Sequence, residues 1–195
     1  PNDRWVSARR IWNQHSYHVT NIYENGRVPT VAPNSWQTLN GRSYNTYRSQ
    51  PRSRGIAPDL TVPELQVAAP GDGCSPLGSS AEIDLLVANQ GDLRVGPNVI
   101  VEIDGRWAGE QRRLLNADGA PLAARIGQPL APGQVTRLTL LYDADSDPNN
   151  PPGLPEEIIA RVDAAGDPVF GQERECREDN NEVRVPVTAP NSLPD

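Results

Sequence analysis

Between residues 60 and 187 apolar and polar positions alternate in short bursts separated by turn residues. Leu60-Thr61-Val62-Pro63-Glu64-Leu65-Gln66-Val67 predicts a first strand, and its proline, which has no N–H to give to a ladder, places that strand at a sheet edge. Ile83, Leu85 and Val87 share one face of 81–89, which Gln90-Gly91-Asp92 ends. Val99, Val101 and Ile103 form the next apolar face; a turn is expected at Asp104-Gly105, with Trp107 just beyond it. Leu114-Leu115 runs into a second turn at Asn116-Ala117-Asp118-Gly119. Pro132-Gly133-Gln134 introduces a strand over 135–142, and Ile158, Ala160 and Val162 alternate in another, although Pro155 and Glu156-Glu157 would also start a helix. Val183, Val185 and Val187 close the series. About seven short strands at this spacing predict an all-β fold, an immunoglobulin-like β-sandwich.

The first 57 residues have another pattern. Ile11, Tyr17 and Val19 would share one side of a strand, and Glu24-Asn25-Gly26-Arg27 reads as a hairpin turn. The expected organisation is therefore a hairpin-containing arm over 1–57, a sandwich over 58–190 and a short tail over 191–195.

Composition sharpens that division. The arm holds seven of the ten aromatic residues, Trp5, Trp12, Tyr17, Tyr23, Trp36, Tyr44 and Tyr47. All 18 basic residues are arginine; the arm carries a net charge of +6 and the remainder −13. A basic, aromatic arm can bind nucleic acid, but an acidic remainder of twice the magnitude opposes that partner. Association of the arm with a sandwich, its own or a neighbouring copy's, fits the charges better. The aromatic residues together with Arg9 and Arg10 are of the types that dominate protein interfaces. No apolar run approaches the roughly 18 residues of a membrane-spanning helix. The sequence opens Pro1-Asn2-Asp3-Arg4 and contains no methionine, which suggests a processed or excised piece of a longer protein.

Few residues carry candidate chemistry. Cys74 and Cys176 are far apart and belong to no C-x-x-C pair, so they are expected to form one disulfide in an oxidising, extracellular setting. Closing so long a loop would stabilise the fold by roughly 4–5 kcal/mol. His15 and His18 would point to opposite faces of a strand and read as structural histidines. Asp143, Asp145, Asp147 and Asn149 place oxygens at alternate positions of a tight loop, the spacing that can converge on Ca²⁺. Pro148 and Leu154 stand where a helix–loop–helix calcium site has glycine and a bidentate glutamate, so a solvated acidic loop is the alternative. Glu175, Glu178 and Asp179-Asn180-Asn181 form a second oxygen-rich cluster, expected to aim Cys176 and the last strand. There is no G-x-S-x-G elbow and no phosphate-binding glycine loop; neither catalysis nor a required cofactor is expected.

The phrases "APDLTVPELQV", "LLVANQGDLRVGPNVIVEIDG", "LAPGQVTRLTLLY" and "ECREDNNEVRVPV" resemble the CARDB family, the cell-adhesion-related domain of bacteria, over residues 58–189. That resemblance implies an immunoglobulin-like sandwich on surface or secreted proteins, serving as a spacer or adhesive module without catalytic residues. The loop at 143–157 is longer and more acidic than the family pattern. The stretch from Arg10 to Pro29 is similar to segments that join integrin-type (FG-GAP/VCBS) propeller repeats to CARDB domains. The expected function is a non-catalytic extracellular structural or adhesion protein, its arm adding strands to a neighbouring copy to build a filament. The alternative is a glycan- or ligand-binding module with a pocket lined by Trp107, Tyr142 or Phe170.

Overall fold

The computed structural model describes residues 11–187 apart from 24, 32, 40–41, 50–56, 72–76, 165–170, 172, 174 and 176. A short hairpin in the arm, β1 (Trp36–Leu39) and β2 (Arg42–Asn45), precedes eight strands of a two-layer sandwich. One layer is β3 (Leu60–Ala68), β4 (Ser80–Asn89) and β8 (Val135–Asp143), in the order β3-β4-β8. The other is ordered β10 (Glu182–Pro186), β9 (Glu157–Val162), β5 (Val99–Trp107), β6 (Glu110–Arg113), with β7 (Ala123–Ile126) also paired to β5. Every pairing is antiparallel.

The alternation explains the layers. Ile83, Leu85 and Val87 from one sheet meet Val99, Val101 and Ile103 from the other, and Ile158, Ala160 and Val162 complete the same buried core. The first strand is an edge, as its proline requires: β3 pairs only with β4, and its register shifts between Thr61 and Glu64, around Pro63. The 157–162 segment is a strand, because Ile158, Ala160 and Val162 must reach the core between the ladders of β5 and β10.

Three expectations are corrected. Asp104-Gly105 lies inside β5, and the chain turns at Ala108-Gly109, both with positive φ (46° and 84°). Gly105 is needed for space: an added Cβ would meet Trp107, Leu114 and Pro155 at 2.8–2.9 Å. Four strands went unread, the arm's β1 and β2 and the sandwich's β6 and β7, the last two short partners along β5. The segment 11–23 forms no strand. Tyr17 N–H donates to Gln14 O (3.1 Å) and Asn21 N–H to His18 O (3.0 Å), making a local turn and a 3-10 helix over Val19–Asn21. The turn at 23–27 is present, closed by Tyr23 N–H to Arg27 O (2.9 Å) with Gly26 at φ +81°, but no strands flank it.

The outward face of the larger sheet is a ladder of opposite charges. Arg113 bridges Glu102 (2.5 Å) and Asp104 (2.6 Å), Arg161 meets Glu182 (2.6 Å), and Arg184 meets Glu182 (2.7 Å). Ile159 has the same outward register, opposite Asp104 and Arg184, yet is buried. The long arginine stems are of the kind that cover apolar surface while keeping their heads in water. Such exposed pairs each contribute about 0–1 kcal/mol, so the ladder matters more as a lid over Ile159 than as a source of Coulomb energy.

Candidate functional site

The arm docks on the end of its own sandwich where the chain enters β3. Tyr17, Val19 and Ile22 pack with Leu93 of the β4–β5 loop in a second, smaller core, with Ile11 at its edge. Trp12 stacks on Tyr17 with ring centroids 4.6 Å apart. The β1–β2 hairpin is tied in by Arg48 N–H to Tyr17 O (2.7 Å), Val19 N–H to Thr46 Oγ1 (3.2 Å) and Thr46 Oγ1–H to Ser35 O (2.6 Å). Tyr23 lies over Gly96, where a Cβ would approach its ring to 3.0 Å. Asn25 Nδ2 donates to Glu173 Oε1 at 2.6 Å, joining the arm's turn to the β9–β10 connection.

Between arm and sandwich runs a groove of about 640 Å³ whose lining includes Thr20, Tyr23, Asn34, Trp36, Asp92 and Arg94. A second groove of about 470 Å³ shares Tyr23 and Arg94 and adds Arg27, Val28 and Val31. A third, lined by Asn34 and Tyr47 among others, shares Val28 and Pro29 with the second, so the three surround the 28–34 loop. Trp36 is 62% exposed and Val31 80%.

Of the residues singled out as an interface, Tyr17 and Tyr23 are buried against the chain's own sandwich, while Trp12, Trp36 and Tyr47 remain exposed. Tyr44 lies on β2. Trp5, Arg9, Arg10, Cys74, Cys176 and Phe170 fall outside the described residues. Trp107 and Tyr142 are not among the residues lining these three grooves. Trp107 packs against the core and donates from Nε1 to Gly153 O (3.3 Å); Tyr142 is buried with its hydroxyl donating to Asp147 Oδ2 (3.2 Å). His18 Nδ1 lies 2.9 Å from Thr20 Oγ1, and burial lowers its pKa.

The oxygens of the 143–149 loop are engaged by the chain. Asp147 Oδ2 accepts from Leu115 N–H (2.9 Å), Asn150 Nδ2 (2.7 Å) and the Tyr142 hydroxyl, and Oδ1 accepts from the Asn149 and Asn150 N–H groups (3.1 and 3.3 Å). Asp143 accepts from Ser146, Ser80 and Asp145 N–H. Burial works against ionised Asp147, but these hydrogen bonds outweigh it and hold the carboxyl below its ordinary value. Tyr142 is pushed up, by burial first and by the Asp147 charge next, so it stays a donor. Among the described residues no three His, Cys, Asp or Glu side chains come together to hold a metal ion, and Asp143, Asp145 and Asp147 do not converge. Asp147→Ala is expected to destabilise the protein by about 2–4 kcal/mol, by leaving the Leu115 N–H and the Tyr142 hydroxyl without their acceptor. Thermal melts with and without Ca²⁺ or chelator check it: neither addition is expected to reproduce the effect of the substitution.

The second oxygen-rich cluster holds the connection to β10. Glu175 is buried; its Oε2 accepts from Leu60 N–H and its Oε1 from Asn181 Nδ2 (2.9 Å). Asn180 Nδ2 donates to Asp59 Oδ1 (2.8 Å), and Asp163 Oδ2 accepts the Glu173 N–H (2.9 Å). Sequence reasoning missed Asp163, whose positive φ (56°) is the tight exit from β9 and has no signature beyond the residue type.

Among the described residues no helix is long and apolar enough to cross a membrane. No family model matches the chain, and no curated protein does. Among solved structures the chain is similar to the CARDB domain of the PF1109 protein in complex with di-metal ions from Pyrococcus furiosus. The two are 20% identical, the match covers 68% of this chain and 88% of that one, and the TM-score is 0.40.

Proposed function

We propose that the chain is a non-catalytic structural or adhesive module of an exported bacterial protein, in which the arm is a fixed collar on one end of the sandwich. The observation that carries this reading is the burial of Tyr17, Val19 and Ile22 against Leu93. A collar with its own apolar core holds a set orientation, as a spacer between neighbouring segments requires. The strand directions support it as well. β3 begins at the collar, where Leu60 pairs with Asn89, and β10 runs from Glu182 beside Arg161 to Pro186 beside Glu157, at the opposite end. The chain thus enters and leaves the sandwich at points a sandwich length apart.

The sequence resemblance of residues 58–189 to the CARDB family gives the module its class, and an oxidised Cys74–Cys176 pair belongs to the same reading. Intact mass with and without reductant and an alkylating agent checks the disulfide. In this reading the arm is held by its own sandwich, so strand exchange with a neighbouring copy would first require its release.

Limited proteolysis tests the collar. Leu93→Asp sets an unpaired carboxylate into the small core, at a cost of several kcal/mol, and is expected to release the arm. Cleavage within 11–49 should then be at least tenfold faster than in the wild-type protein, while the sandwich stays protected. Wild-type arms cut as fast as the variant's would overturn the reading.

A further inference from the structure

We propose that the trench around the 28–34 loop binds an acidic saccharide chain, a uronate-bearing glycan. The inference stands apart from the spacer reading and rests on three observations. The first is charge. Arg106, Arg112, Arg113 and Arg161 of the larger sheet, and Arg137 of the smaller, each meet a carboxylate. Arg27, Arg48, Arg94 and Arg125 meet none among the described residues, and of these Arg27 and Arg94 share one groove. Two unpaired guanidinium groups in one groove of a chain with net charge −7 are placed to take planar carboxylates, which the guanidinium fork binds bidentately.

The second observation is Trp36. It is 62% exposed on the wall of the adjoining groove, which shares Arg94 and Tyr23 with the one that holds both arginines. The negative face of an indole attracts the weakly positive C–H side of a pyranose ring, and a large amphipathic ring at the rim of a cleft suits a ligand that is apolar on one side and wet on the other. The third is the mixture of polar groups. The Asn34 side-chain amide lines the groove with donors and an acceptor suited to vicinal hydroxyls, beside a Thr20 hydroxyl held by Asn34 O (2.6 Å) and His18 Nδ1 (2.9 Å). The acidic body argues against a phosphate polymer, whose dense negative charge it would repel. The trench wraps the 28–34 loop and is open, as a chain ligand needs, and its sections of about 640 and 470 Å³ have the volume of ordinary small-ligand sites.

Calorimetric titration of the whole protein with an oligogalacturonate of six to eight sugars tests the assignment. Binding is expected at micromolar to millimolar concentration, weakening as NaCl rises. A neutral malto-oligosaccharide of equal length should bind at least tenfold more weakly. Trp36→Ala and Arg94→Ala are exposed substitutions that leave both cores intact, and each should weaken binding about tenfold. Arg125→Ala, on the outer face of the larger sheet, should leave it unchanged. Equal binding of poly-glutamate would reduce the trench to a general anion patch and overturn the proposal. So would binding indifferent to Trp36→Ala, or no binding at all by a protein whose melting curve is normal.

Discussion

Asn89→Ala is expected to lower stability by about 3–5 kcal/mol, a drop of roughly 8–15 °C in melting temperature for a chain of this size. Asn89 is fully buried at the end of β4, and all its side-chain capacity is used. Nδ2 donates to Leu93 O (2.6 Å) and Leu130 O (3.0 Å); Oδ1 accepts from Asp59 N–H (3.3 Å) and Gly91 N–H (3.0 Å). One amide therefore pins the approach to β3, the β4–β5 loop and the β7–β8 loop, the surface on which the arm sits. Alanine takes that partner from Leu93 O, Asp59 N–H and Gly91 N–H and leaves Leu130 O with the Val95 N–H alone, and a buried group left unmade costs more than it gave when made. Asn89→Asp should be as damaging at neutral pH, because a carboxylate oxygen would face the carbonyls of Leu93 and Leu130, with partial recovery in acid. Thermal or urea unfolding of both variants checks this; a melting temperature within about 3 °C of wild type for Asn89→Ala would show that the loops do not depend on it.

Stability should fall as pH rises from about 5 to 9, and Glu175→Gln should abolish most of that fall. Burial, against the hydrogen bond from Leu60 N–H and helped by the charges of Asp163 and Glu178, pushes the Glu175 carboxyl from 4.5 up to about 9. Through that window the folded chain keeps a proton that the unfolded chain has released. The group's stabilising effect is complete below the unfolded pKa of 4.5 and lost as pH climbs through about 9, at up to about 1.4 kcal/mol per pH unit. Asp143, Asp147 and Glu182 are lowered instead, so their effects appear at lower pH and with opposite sign. The difference between wild type and variant isolates Glu175. Glutamine keeps a carbonyl for Leu60 N–H, and its amide can donate to Asn181 Oδ1, which has no hydrogen-bond partner among the described residues. Urea unfolding between pH 5.5 and 8.5 is the measurement, and parallel curves for the two proteins would refute the prediction.

The six strands that carry the sandwich core were legible because each turns a face of apolar residues at every second position to the core, as in Ile83, Leu85 and Val87, although β9, with buried Ile159, blurs the alternation. β6 was not, because Glu110-Gln111-Arg112-Arg113 buries no apolar side chain and is held by its ladder and its charges to β5. β7 offers Ala123 and Ala124, which carry no strand signal, and forms because β5 has an open edge there. In the arm, Ile11, Tyr17 and Val19 were grouped rightly and given the wrong backbone: a 3-10 turn brings Tyr17 and Val19 to one buried side as well as a strand would. The β1–β2 hairpin was passed over because the sequence reading placed the arm's turn at Asn25-Gly26. The trench could not be read from sequence at all. Trp36 and Arg94 stand 58 positions apart, and only docking of the arm on the β4–β5 loop brings them to one groove.

The opposite ends at which the chain enters and leaves the sandwich also decide how it would carry tension. A pull applied through the flanking segments draws β3 out past β4 at the collar end and β10 out past β9 at the far end. Both strands would have to slide along their partners, with the bonds of each ladder loaded together in shear instead of parting one at a time. The collar, held by its small core around Leu93 and by the contact of Asn25 with Glu173, lies in series with that resistance and would yield first. A chain pulled in this way would release its collar before the two ladders bear the load.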